Sequence, residues 1–95
     1  MTATGRVLAL DPGAVRVGVS VTDSARTMAF PRAALAANES LVEQVRLLVE
    51  EEAAVHLVVG LPRSLDGTEG PAAKSSRELA AALQSVLSLE IELFD

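Results

Sequence analysis

The sequence contains no cysteine, tryptophan or tyrosine, a single histidine and two phenylalanines. Without cysteine there can be no disulfide and no thiolate metal site. A lone His56 cannot build a histidine cluster, which removes most zinc chemistry. Any metal would have to be held by carboxylates, and that donor type favours Mg²⁺ or Mn²⁺. Since Phe30 and Phe94 are the only aromatics, the core has to be aliphatic. Stacking on exposed rings, the usual grip on single-stranded bases, has almost nothing to work with. Long apolar runs are missing as well. The longest uncharged stretch, Leu79–Leu89, is too short to cross a bilayer, and "MTATGR" has no apolar signal region. The expectation is a soluble, cytoplasmic protein with no membrane partner.

Positive charge is also scarce, with a net charge of −5. It is unevenly spread. Residues 1–35 carry four arginines against two aspartates, and residues 61–77 carry three basic groups against two acidic ones. The acidity is concentrated in 36–60 and 78–95, each at −4. There is no long basic field, so any nucleic-acid binding must be local.

What is present is a 95-residue chain, 49% hydrophobic and 22% charged, the composition of one globular domain over 1–95. Val7–Leu10 is a wholly apolar run that ends at Asp11, as expected of a buried strand. After "DPGA", Arg16–Thr22 alternates strictly, with Val17, Val19 and Val21 on one face, and the short link predicts an antiparallel hairpin. Thr27–Leu35 reads as a third strand, placed at a sheet edge by Pro31, which has no N–H to donate. Ser40 with Glu43 forms a capping-box pattern for a helix whose apolar stripe is Leu41, Val45, Leu48 and Val49, with Val42 beside them. "EEE" at 50–52 sits near that helix's C-terminal end, where the macrodipole disfavours negative charge. "VHLVVG", Val55–Gly60, is another apolar strand, followed by the turn-rich loop "LPRSLDGTEG". Pro71 suits the first turn of a second helix running to about Leu87, with Ala72, Leu79, Leu83, Val86 and Leu87 facing the core. Glu90–Asp95 alternates again, Ile91 and Leu93 opposing Glu90, Glu92 and Phe94.

The order β-β-β-α-β-α-β predicts an α/β fold, a mixed five-stranded sheet with helices as cover and the first strand central. Asp11 would then sit at the carboxyl end of that strand, where open α/β sheets bind ligands. Its residue type allows two roles, a turn cap or a metal ligand. Gly13 would let a phosphate or metal approach the backbone, or serve only as a positive-φ turn residue. Free N–H groups at the start of the second helix, together with Thr68, could take a phosphate. Arg16, Arg63, Lys74 and Arg77 flank the two loops and are the candidates for backbone contacts; each could equally be a solvated charge or a local ion pair. Arg77 in particular could pair with Asp66 or Glu69 and hold the loop. His56 reads as a packed or partly exposed strand residue and Asp23 as a turn cap.

"LALDPGAVRVGVSVTD" and "VVGLPRSLDGTEGPAAKSSRELA" carry a resemblance. The topology with a strand-one aspartate resembles the ribonuclease H-like superfamily. The two motifs are similar to the YqgF/RuvX family, with its D-x-G hairpin and its G-L-P-x-x-x-D-G-T-E-G-P-x-A-x-x-x-R segment. The resemblance covers nearly the whole chain. It implies a metal-dependent nuclease acting in maturation of the 5′ end of 16S rRNA, or a Holliday junction resolvase-like DNA endonuclease, with precursor rRNA or branched DNA as partner and Mg²⁺ or Mn²⁺ as cofactor. Asp11 matches the family's strand-one aspartate, Asp95 the aspartate of its D-E-R-L-T motif, and Arg77 its helix arginine. Asp11 and Asp95 are thus the implied catalytic and metal-binding residues. The sequence stops where Glu-Arg-Leu-Thr should follow, and the expectation is a chain lacking the family's C-terminal helices and last aspartate, with an exposed edge that favours a homodimer. Two further readings belong to other classes. One is a catalytically incomplete fragment or subunit; the other is a sugar-kinase/actin-type ATP-binding fold, which would need a second phosphate loop that this sequence does not contain.

Overall fold

The computed structural model describes residues 4–63 and 66–95. Residues 1–3 of the "MTATGR" segment, and Ser64 and Leu65 in the middle of the Leu61–Gly70 loop, lie outside the described residues. In chain order the elements are β1 (Arg6–Pro12), β2 (Arg16–Thr22), β3 (Ala29–Ala36), α1 (Leu41–Glu52), β4 (Ala54–Gly60), α2 (Pro71–Val86) and β5 (Glu90–Phe94). They form one five-stranded sheet in the order β3-β2-β1-β4-β5. β1 is antiparallel to β2 and parallel to β4; β3 runs antiparallel to β2, and β5 parallel to β4. This is the mixed α/β sheet of a ribonuclease H-like fold, with the first strand central and Pro31 on an edge strand as its missing N–H requires.

Strand alternation divides the sheet into two unlike faces. Leu8 and Leu10 of β1 lie beside Val21 and Val19 of β2 and beside Leu57 and Val59 of β4, and Ile91 and Leu93 continue the rows on β5. Val45 and Val49 of α1 and Leu79 and Leu83 of α2 pack on this face and complete one aliphatic core. The opposite face carries Val7, Ala9, Asp11, Gly18, Ser20, His56, Val58, Gly60, Glu90, Glu92 and Phe94. Among the described residues no helix covers it.

Local chemistry departs from expectation in three places. The capping box at α1 is not made. The Ser40 side chain gives no cap hydrogen bond; its hydroxyl donates instead to Asn38 Oδ1 at 2.7 Å, and its N–H goes to the same oxygen at 2.9 Å. Glu43 turns outward to Arg46. On α2, the residues facing inward are Ala73, Ser76, Leu79 and Leu83, while Ala72 is exposed and Val86 is 50% exposed. The helix is rotated so that Ala73 and Ser76, in place of Ala72 and Val86, join Leu79 and Leu83 on the buried face. The third departure explains the acidic run. Glu52, at the disfavoured end of α1, is 6% exposed and receives Arg6 Nη1 and Arg32 Nη1, each at 2.8 Å. One carboxylate thus ties α1 to β1 and β3, and two guanidinium groups outweigh the macrodipole term.

Ser76 is fully buried, and its hydroxyl finds no hydrogen-bond partner among the described residues. An unpaired buried hydroxyl costs free energy that a methyl group does not. Ser76→Ala should therefore leave stability unchanged or raise it by up to about 1 kcal/mol, read as the urea midpoint; a loss would mean that the hydroxyl is satisfied in solution. Glu52→Ala should act in the opposite direction. Because both arginines stay 42% and 40% exposed, screening keeps the loss to about 1–3 kcal/mol, and an unchanged midpoint would show that the clamp contributes nothing.

Candidate active site

β1 carries an acidic residue at its next-to-last position, and strand alternation gives that side chain only one way to point. Leu8 and Leu10 point into the core, so Asp11 must project from the open face. There the neighbouring strands leave it space. Asp11 pairs with Gly18 of β2, and on the other side lies Gly60 of β4, one step beyond the Leu10–Val59 pair. A Cβ on Gly18 would stand 3.5 Å from Asp11 Cβ, and one on Gly60 would stand 3.7 Å from Asp11 Oδ1 and 3.4 Å from the Leu10 carbonyl oxygen. The carboxylate is exposed and makes no hydrogen bond or ion pair among the described residues, so it is not spent as a turn cap. A shallow groove of about 280 Å³ lined by Ala9, Asp11, Gly18 and Ser20 lies beside it.

Gly13 is fixed by contact and not by backbone sign. Its N–H donates to the Arg16 carbonyl at 2.9 Å, and a Cβ there would come within 2.7 Å of that same oxygen. Its φ is not positive; among the glycines only Gly5 and Gly67 have positive φ. Pro12, Gly13 and Ala14 share a cleft of about 260 Å³ with Pro71, Ala72 and Ser75 of the first α2 turns. The hairpin tip and the helix start are thereby brought together. Gly70 caps α2 with no side-chain bond and Pro71 stands in the first turn, leaving early N–H groups of the helix without intrahelical partners. Arg16 begins β2 two residues before Gly18 and is exposed on the same face.

The other candidates form a separate assembly. Arg77 grips Glu69 through Nε at 2.7 Å and Nη2 at 2.6 Å, a two-pronged pair. Arg63 Nη2 lies 3.9 Å from the same carboxylate, and Arg63 Nε is 2.9 Å from Asp95 Oδ2. Charges therefore alternate from Asp95 through Arg63 and Glu69 to Arg77, linking the end of β5, the β4–α2 loop and α2. Thr68 is engaged locally, its N–H and hydroxyl both donating to Asp66 Oδ1 at 3.1 and 2.8 Å. Gly67 takes φ +83° in that turn, as "DG" predicts. The Thr68 hydroxyl, foremost among the causes, holds Asp66 below the ordinary carboxylate range. Lys74 lines a groove of about 450 Å³ with Glu69, Gly70 and Arg77 on the outer side of α2.

Asp11 and Asp95 are not brought together. They sit at strand ends separated by β4, roughly 10 Å by strand spacing, and Asp95 is engaged by Arg63. Among the described residues no three of His, Cys, Asp and Glu are grouped to hold a metal ion. The donor set suits one hydrated Mg²⁺ or Mn²⁺ at Asp11, an ion that commonly takes one or two carboxylates and completes its shell with water and substrate phosphate. It does not suit a caged pair. Two readings of single residues hold. Asp23 caps the β2–β3 turn through Thr27 and Met28, bonds that lower its pKa, the Thr27 side chain first. His56 is a half-buried strand residue on the open face, its Nε2 2.8 Å from Glu92 Oε1. The flanking glycines Gly18 and Gly60 were not singled out from sequence. Their signal was there: each falls in phase with Asp11 on a neighbouring strand.

Comparison with known proteins bears directly on this arrangement. A family model described as RuvX, Holliday junction resolvase, matches residues 5–95. A protein of Paracoccus denitrificans named "Putative pre-16S rRNA nuclease" is 39% identical over 94 residues, covering 97% of this chain and 60% of its own length. Proteins with the same name from Chloroflexus aurantiacus and Acidiphilium cryptum are 37% and 33% identical, over 94% and 95% of this chain and 60% and 58% of theirs. The chain thus spans about three-fifths of the length of these curated relatives.

The Glu69–Arg77 pair gives a direct pH test. Its hydrogen bonds to Arg77 hold the Glu69 carboxyl below the ordinary glutamate value. A lowered folded-state pKa means that the stabilisation is whole above the unfolded value and fades as pH falls through the lowered one. The Glu69 carboxyl ¹³C shift should titrate below that of a glutamate in an unstructured peptide, and Arg77→Leu should return it to that value. A midpoint unmoved by the substitution would refute the pairing.

Proposed function

The chain belongs to the RuvX family, and from that premise we propose that it hydrolyses phosphodiester bonds of nucleic acid, with the precursor of 16S rRNA as substrate and Asp11 as the carboxylate facing the reacting phosphate. The observation that carries this reading is the glycine-flanked, unpaired Asp11 at the end of the central strand. A carboxylate kept for structure would be bonded to its own turn, as Asp23 and Asp66 are. This one is surrounded by backbone and space. The names borne by the relatives support the same class of reaction.

In this reading Asp11 holds Mg²⁺ or Mn²⁺, and such an ion, when bound, supplies an activated water and offsets charge on the leaving oxygen. The protein's own groups do the orienting. Gly13 and the first turns of α2 border a cleft at the hairpin tip, one residue beyond Asp11 at Pro12, and can receive a phosphate there. Arg16 adds a positive charge on the same face. Arg63, Thr68, Lys74 and Arg77 extend the path along the β4–α2 loop, where Arg63 and Arg77 would exchange Glu69 for phosphate. Asp95 serves as a second carboxylate only after leaving Arg63. A second reading, cutting of branched DNA, is favoured by the family's own description. Both place the chemistry at Asp11 and differ in the nucleic acid.

Two measurements test the assignment. Mg²⁺ titration followed by NMR should shift the amides of Asp11, Gly18 and Gly60 before any others, and Asp11→Asn should remove those shifts. Cleavage of precursor 16S rRNA and of four-way DNA junctions, assayed with Mg²⁺ and with Mn²⁺, should fall at least a hundredfold in Asp11→Asn with the thermal midpoint retained. Cleavage at the parental rate by that variant, or no cleavage of either substrate by the parent chain, would overturn the reading.

A further inference from the structure

We propose that Phe94 is a stacking platform for an unpaired nucleobase, so that the site takes single-stranded nucleic acid, with one base over Phe94 and the adjoining phosphate at Asp11; this rests on the nuclease reading above. Composition leaves two phenyl rings in the whole chain, and the structure puts them on opposite faces of the sheet. Phe30, 45% exposed, lies on β3 opposite Val21, on the helix-bearing side and away from Asp11. Phe94 is 67% exposed and pairs with Gly60, which itself neighbours Asp11. One row across the open face therefore reads Gly18, Asp11, Gly60, Phe94.

The two glycines make this row a notch. With no side chain on Gly60, no side chain of the sheet row stands between the Asp11 carboxylate and the Phe94 ring, over roughly 10 Å of strand spacing. That is within the reach of one nucleotide from base to phosphate. The surrounding charges orient it. Lower on the same face Glu90 and Glu92 flank His56, with Glu92 2.8 Å from its Nε2, and they repel phosphate. Arg63 follows β4 at the upper rim, beside Phe94, and Arg16 begins β2 at that rim. The backbone is thus drawn to the rim and the base left over the ring. A base inside a duplex has both faces covered by its neighbours, so only an unpaired base can stack there.

The test uses fluorescence anisotropy with a single-stranded oligoribonucleotide and its duplex form. The parent chain should prefer the single strand. Phe94→Leu should weaken that binding about tenfold, consistent with the worth of one stacked base, and Phe30→Leu should leave it unchanged. The chain has no tryptophan, so Phe94→Trp installs a sole emitter that should keep the affinity and lose fluorescence as the oligonucleotide saturates. Undiminished binding by Phe94→Leu, or emission that ignores the oligonucleotide, removes the platform and leaves the nuclease reading standing. A parent chain that binds neither form removes both.

Discussion

The burial of Leu8 and Leu10 governs where every other group at the site can be. They stand at the middle of the sheet, beneath both helices, and the two-residue period of a strand sends Ala9 and Asp11 to the opposite side. A slip of one residue would bury the carboxylate and expose two leucines, an exchange that costs several kcal/mol. The hydrophobic core therefore fixes the register of β1, and that register aims the acid. Positions on either side complete the arrangement. β2 and β4 bring glycine to the same row, where a Cβ would meet the Asp11 side chain or the backbone beside it at 3.4–3.7 Å, and its absence leaves that space open.

Electrostatics are handled differently in the two halves of the molecule. Among the described residues no side chain pairs with Asp11. Along the β4–α2 loop every candidate cation except Lys74 is already occupied, Arg77 by Glu69 and Arg63 by Asp95 and Glu69. Exposed pairs of this kind contribute little to stability, and they can be exchanged for phosphate at little cost. At the far end of the sheet Glu52 shows the contrasting use, a carboxylate withdrawn from solvent and clamped by two arginines.

Much of this was legible in the sequence because strand periodicity is a strong signal. The span of β2, the inward valines, the edge position of β3 and the terminal position of Asp11 all follow from alternation and from Pro31. The rotation of α2 was not legible. Its face is alanine-rich, so Ala72 and Ala73 look alike until packing chooses between them, and Ser76 has no sequence feature that announces burial. The capping-box pattern at Ser40 and Glu43 was legible and still failed, because Asn38 and Arg46 compete for the same groups. The acidic run at 50–52 could not be understood locally, since the partners of Glu52 lie on β1 and β3, far away in sequence. The separation of Asp11 from Asp95 belongs to the same class: motif matching places residues on a family pattern, and distance enters only with the sheet order.

Between α1 and β4 there is one residue, Ala53, in the left-handed conformation at φ +53°, and its N–H bonds back to the last carbonyls of the helix. A junction that short has no slack. Each residue of an α-helix advances about 100° around its axis, so lengthening the joint by one would swing Val45 and Val49 off the sheet unless the turn absorbed the extra length. A change of length would therefore be felt at that corner far more than at the loop tips of the molecule.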